Sequence, residues 1–210
     1  TVEPSPTTST STSTTSLATT STQSEPAAFV LRSDGLGSFD LGSDAADVID
    51  GLGVQLGGPA TDETTDYPAA DGLGQYTTAD GETGFGAPVG RTVCWMMNLC
   101  VHFGGASAAS LSLTGWTYSN DQFGTLRSAA GVTIGTRWSD VPSIHVEPGG
   151  CYSVGSGDVD GIRVTLESSG EPFGSFDAAG NYVATLPAAA DVTVIAMEAG
   201  SVPVFLYGDC

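Results

Sequence analysis

The chain has 210 residues, enough for one large domain or two small ones, and carries 24 Asp and Glu against 5 basic residues, all Arg, for a formal charge of −19. That balance excludes nucleic acid and an anionic membrane surface as natural partners, because both require a basic face. No apolar run reaches the roughly 18 to 20 residues of a spanning helix, and the 4 cysteines predict two disulfides and an oxidising compartment.

Between Thr1 and Ser24, 17 residues are Ser or Thr, with Pro4 and Pro6 and almost nothing to bury. Residues 1–28 therefore read as a disordered tether that lifts a domain off a surface, its hydroxyls available to O-glycans. The sequence starts at Thr1 without a signal peptide, as a trimmed chain would, and a lipid anchor upstream of residue 1 is compatible with such a tether. Phe29 begins the first apolar cluster, and the residues from there onward suffice to bury roughly 70% of their unfolded surface.

This globular part reads as two diverged copies, 29–120 and 121–210. Leu31-Arg32-Ser33 recurs as Leu126-Arg127-Ser128, Leu41-Gly42 as Ile134-Gly135, and Asp47-Val48 as Asp140-Val141. In the first copy Ser43 is the expected N-cap, Ala45, Val48, Ile49 and Leu52 form one helix face, and Gly51 with Gly53 should stop it. In the second, Thr136 should cap a helix that Pro142 limits to about one turn. Strand signals cover 91–103, 111–118, 161–167, 181–186, 191–197 and 202–207. The expected class is α+β and strand-rich: two tandem repeats, each with one short helix on antiparallel sheet, stapled by disulfides.

A tight hairpin around Met96-Met97-Asn98 sets Trp95 opposite Leu99 and Cys94 opposite Cys100, within disulfide reach. Cys151 then pairs with Cys210. Four cysteines allow three connectivities, with free thiols or a metal site as alternatives, but neither pair has the spacing of a four-Cys zinc site.

The stretch from Ser33-Asp34-Gly35-Leu36-Gly37 to Asp47-Val48-Ile49, with Leu113-Thr114-Gly115-Trp116 and Gly131 to Val141, resembles a group of actinobacterial secreted proteins and lipoproteins. That resemblance implies an exported domain and carries no activity to transfer. At the level of fold, tandem helix-plus-sheet units with disulfides are also similar to the β-lactamase inhibitory proteins, an analogy that names no residue here.

Catalytic constellations are scarce. His102 sits in an alternating strand and reads as a sheet-face or core histidine, and His145 reads similarly. No G-x-S-x-G occurs, and two histidines cannot fill a zinc site without a carboxylate at helical spacing. Gly35-Leu36-Gly37 and Gly51-Leu52-Gly53 stand at the wrong ends of their elements for a phosphate loop. Paired carboxylates such as Asp177 with Glu171, or Asp158 with Asp160, fit glycan hydrolysis in principle, although solvated surface charge accounts for them more simply. Asp158 and Asp160 before Gly161, and the loop Asp62-Glu63-Thr64-Thr65-Asp66, offer oxygen ligands for Ca²⁺ without the full ligand loop. No other cofactor is expected. Finally, Trp95, Met96 and Met97 form an apolar hairpin tip; a core role is the default for such residues, and if exposed the tip is, with Trp116, the expected contact patch. The sequence thus points to an exported, surface-tethered, non-enzymatic protein that binds a protein or glycan at the cell surface. The alternatives are an inhibitor of a secreted enzyme and a carboxylate-based, glycan-active enzyme.

Overall fold

A computed structural model describes Thr1 and residues 29–70, 75–119 and 126–205. The expected tether over 2–28, and Cys210 with the rest of 206–210, lie outside the described residues. Eight strands build the main sheet: β1 (Thr61–Asp66), β2 (Val89–Cys94), β3 (Leu99–Gly105), β4 (Ser112–Ser119), β5 (His145–Cys151), β6 (Val154–Val159), β7 (Ile162–Ser168) and β8 (Val192–Gly200). Their spatial order is β5-β6-β7-β8-β4-β3-β2-β1, antiparallel throughout. Each half of the chain contributes four strands that pair in chain order, and β4 meets β8 in the middle.

Alternation along these strands creates the core. Val93, Val101, Trp116 and Ala199 are successive cross-strand partners over β2, β3, β4 and β8. Leu99, Tyr118, Met197 and Val164 form the next row over β3, β4, β8 and β7. All eight side chains are buried, and each contributes on the order of 1 to 3 kcal/mol of apolar transfer. The rows run from one half of the chain into the other without a break, so both halves share one core.

Helix α1 (Ala45–Leu56) is the one α-helix among the described residues, and it buries Ala45, Val48 and Leu52. Its cap is Asp44, one residue beyond the expected Ser43, whose carboxylate accepts the backbone N–H of Ala46 and Asp47. It also outruns Gly51 and Gly53 and ends at Gly57, with φ 85°. The reason is packing: a Cβ at Gly51 would stand 2.3 Å from the Phe39 ring, so this glycine admits a close approach rather than stopping the helix. Backbone bonds from Ala45 N to Leu111 O and from Leu113 N to Ser43 O tie the helix start to the start of β4.

The second half carries a 3-10 turn, Trp138–Asp140, where the sequence suggests a short helix. Arg137 precedes it, and the Thr136 hydroxyl instead accepts the Thr133 N–H. Two further differences concern strands. The acidic segment expected as a calcium loop is the edge strand β1, whose Asp62 and Glu63 therefore point to opposite faces. The described end of the expected 202–207 strand, Val204–Phe205, pairs with Thr83–Phe85 in a separate four-stranded sheet. The two Leu-Arg-Ser segments meet directly, since Val30–Arg32 and Arg127–Ser128 pair in parallel.

Candidate functional site

The hairpin joining β2 to β3 forms as its spacing predicts. Cys94 stands opposite Cys100 with Cα atoms 4.0 Å apart, and the two are disulfide-bonded. Asn98, at φ 56°, closes the turn. Cys151 is disulfide-bonded as well, and the partner the sequence assigns it, Cys210, lies outside the described residues.

The tip of this hairpin is not the contact patch expected of it. Trp95 is 2% exposed, and its indole N–H donates to the Gly57 carbonyl just past α1, at 2.9 Å. Met97 is partly buried against the core. Trp116 is fully buried, and its indole N–H is shared by the carbonyls of Arg32 and Gly35. Both tryptophans satisfy their one donor on backbone, so they fasten the helix and the Arg32–Gly35 turn to the sheet. Of the four residues, Met96 alone stands exposed.

His102 lies on the sheet face opposite Val101 and Phe103 and is buried. Its Nδ1 is 3.1 Å from the Thr92 hydroxyl and its Nε2 is 3.1 Å from that of Thr117. Both ring nitrogens are thus occupied, and burial pushes its pKa down to about 4, so it is neutral at ordinary pH. His145 is exposed on edge strand β5.

The candidate carboxylates close turns. Asp160, at φ 53°, and Gly161, at φ 76°, form the two-residue hairpin between β6 and β7, the Asp-Gly pair that such hairpins favour. The Asp158 carboxylate accepts the Gly161 N–H. Asp177 accepts the backbone N–H of Ala179 and Asn181, which holds its carboxyl below the usual carboxylate range. Asp62 makes a two-pronged ion pair with Arg91, at 2.7 and 2.6 Å. Among the described residues no group of three or more His, Cys, Asp or Glu is placed to hold a metal ion.

A different constellation draws together at the far end of the sheet. The hairpin of Gly174–Phe176 and Tyr182–Ala184 sets Phe176 opposite Tyr182. Their rings meet edge to face, with centroids 5.9 Å apart and planes at 72°. Tyr152, at the turn joining β5 to β6, adds a third ring, and its φ of 51° is rare for a bulky residue. The Tyr152 carbonyl accepts the Phe173 N–H at 2.6 Å, which docks the aromatic hairpin on this turn. With Gly150, Cys151 and Gly174 these rings line a cleft of about 280 Å³.

The cleft is braced from below. The Tyr182 hydroxyl donates to the Gly150 carbonyl and accepts the Gly150 N–H, each at 2.8 Å. A Cβ at Gly174 would stand 2.3 Å from that hydroxyl, so only glycine leaves room for the ring. Even so, Tyr152, Phe176 and Tyr182 remain 61%, 60% and 50% exposed. Large aromatics held this open are the usual mark of a contact site.

The sequence does contain the signal for this hairpin. Phe176 and Tyr182 flank Asp177, Gly180 and Asn181, and 181–186 carries a strand pattern. Which face stays open depends on neighbours distant in the chain, and so is not written locally. No protein-family model, curated protein or solved structure matches this chain.

Proposed function

We propose that this chain is an exported, non-enzymatic binding module, displayed at the outer face of a cell envelope on its Ser/Thr/Pro-rich tether, and that it holds its ligand in the cleft of Tyr152, Phe176 and Tyr182. The observation that carries this reading is the exposure of three aromatic rings that line one cleft, with Tyr182 braced on Gly150 and fitted over Gly174. A folded chain would otherwise bury such rings, and each ring left open is apolar surface available to a partner. The turn-closing roles of Asp158 and Asp177, and the neutral, doubly bonded His102, support a binding role over an acid-base one. The two consecutive four-stranded runs that meet at β4 and β8 support an origin by duplication of one α+β unit. The net charge of −19 favours neutral or cationic ligands over anionic ones.

The test is a thermal-shift and NMR screen of neutral oligosaccharides, peptides and small cations against the full chain. The expected result is ligand-induced stabilisation that Phe176→Ala abolishes while the unliganded melting temperature holds. Hits that persist in Phe176→Ala and Tyr152→Ala would move the site elsewhere. Turnover of any glycan in the panel would overturn the non-enzymatic reading.

A further inference from the structure

The chemistry of this cleft narrows what it takes. Its lining is aromatic carbon and glycine, with one disulfide cysteine. The Tyr182 hydroxyl, which could otherwise serve a ligand, is already engaged as donor and acceptor with Gly150. A sugar seated among these rings would lose water from its hydroxyls and find few replacements, which costs free energy for every group left unpaired. An anion would meet neither a guanidinium nor an ammonium. No Arg is among the residues that line the cleft, and Arg32, Arg91 and Arg163 are committed to carboxylates elsewhere.

A positive group fares differently. Ring faces carry negative potential and attract cations even at exposed sites. A fully alkylated ammonium has no N–H to satisfy, so an apolar lining penalises it less than a primary ammonium or a guanidinium. The field of the protein acts in the same direction. The chain carries −19 overall, and Asp177, next to Phe176 in sequence, is held by the N–H groups of Ala179 and Asn181 at the tip of the same hairpin. At about 280 Å³ the cleft falls just under the roughly 300 to 1,000 Å³ of drug-sized sites, the scale of a head group rather than a whole oligomer.

Building on the binding role proposed above, we infer that the Tyr152–Phe176–Tyr182 cleft binds a quaternary ammonium group carried on a small soluble molecule of the choline type. Phe176 and Tyr182, held edge to face, supply two walls, Tyr152 the third, and Gly174 the space beneath Tyr182.

The experiment is an NMR titration of the full chain with choline chloride, with tetramethylammonium chloride, with 3,3-dimethylbutan-1-ol, in which carbon replaces the nitrogen of choline, and with cellobiose. Choline and tetramethylammonium should shift the resonances of Tyr152, Phe176 and Tyr182 and bind at least about tenfold more tightly than the neutral isostere. Their affinity should fall as salt is raised. Phe176→Ala and Tyr152→Ala, both exposed and therefore tolerated by the fold, should each weaken choline about tenfold or more. Phe176→Tyr should retain it. Equal affinity for choline and its isostere, or preferential binding of cellobiose in the cleft, would overturn the ammonium assignment and leave the binding site standing. Silence of the cleft toward all four probes would overturn the ammonium assignment, and silence in the broader screen as well would overturn the binding role.

Discussion

Two aromatic pairs among the described residues pack against glycine through at least one ring, and they meet opposite fates. Tyr67 and Phe85 pack with ring centroids 5.6 Å apart above the paired residues Gly90 and Gly104, where an added Cβ would come within 3.0 to 3.1 Å of the rings. Both are sealed, at 4% and 1% exposure. Of Phe176 and Tyr182, only Tyr182 uses this device, over Gly174, and both rings stay half open. In the sealed pair Phe85 belongs to the four-stranded sheet that includes Val204–Phe205, and Tyr67 stands between β1 and that sheet, whereas the open pair sits on a two-stranded hairpin. The sealed rings add stability on the face that the main core leaves uncovered. The open rings forgo part of that gain, the apolar surface on which the proposed binding role relies.

The largest expected effect lies on the sealed side. Phe85→Ala should cost about 3 to 5 kcal/mol in urea unfolding, since it empties a fully packed site. A loss similar to that of Phe176→Ala would erase the contrast. Next is acid sensitivity. His102 shares its sheet face with the sealed pair, and its pKa is depressed from 6.5 to about 4. Above pH 6.5 it is neutral whether folded or unfolded. As pH falls from about 6.5 toward 4 the unfolded chain takes up the proton and the folded chain resists, so stability is lost, by at most about 3 kcal/mol. Comparing unfolding midpoints of the wild type and His102→Gln across that range isolates this contribution from that of the carboxylates. Removing the hairpin disulfide by Cys94→Ser with Cys100→Ser should cost about 2 kcal/mol, modest because the closed loop is short. The smallest effect is expected on the open side: Phe176→Ala should change stability by less than about 1 kcal/mol, a value read from the same urea curves.

Local chemistry made some elements legible and left others silent. The β2–β3 hairpin was readable because its cysteines and β-branched residues repeat with period two around a short turn. Helix α1 was readable from its apolar spacing, although its end was not, because only the fold brings Phe39 against Gly51. Strand β1 was unreadable as a strand: an edge exposed on both faces needs no apolar alternation, and Thr-Asp-Glu-Thr-Thr-Asp resembles a loop. Strand β5 hides behind Pro148, Gly149 and Gly150, which lack strand propensity and are tolerated at an edge. The backbone partners of Trp95 and Trp116 could not be inferred, since the carbonyls they bond lie 38, 84 and 81 residues away in sequence.

Strand β1 has a consequence of its own. It ends the sheet with a row of main-chain groups that another copy could extend, yet Asp62, Glu63 and Asp66 line that margin and are exposed. Two such margins approaching each other would bring like charges together along their whole length, which opposes strand addition more than any single clash would. Copies crowded side by side can then remain separate units, each keeping its own aromatic cleft open, instead of polymerising through their sheets.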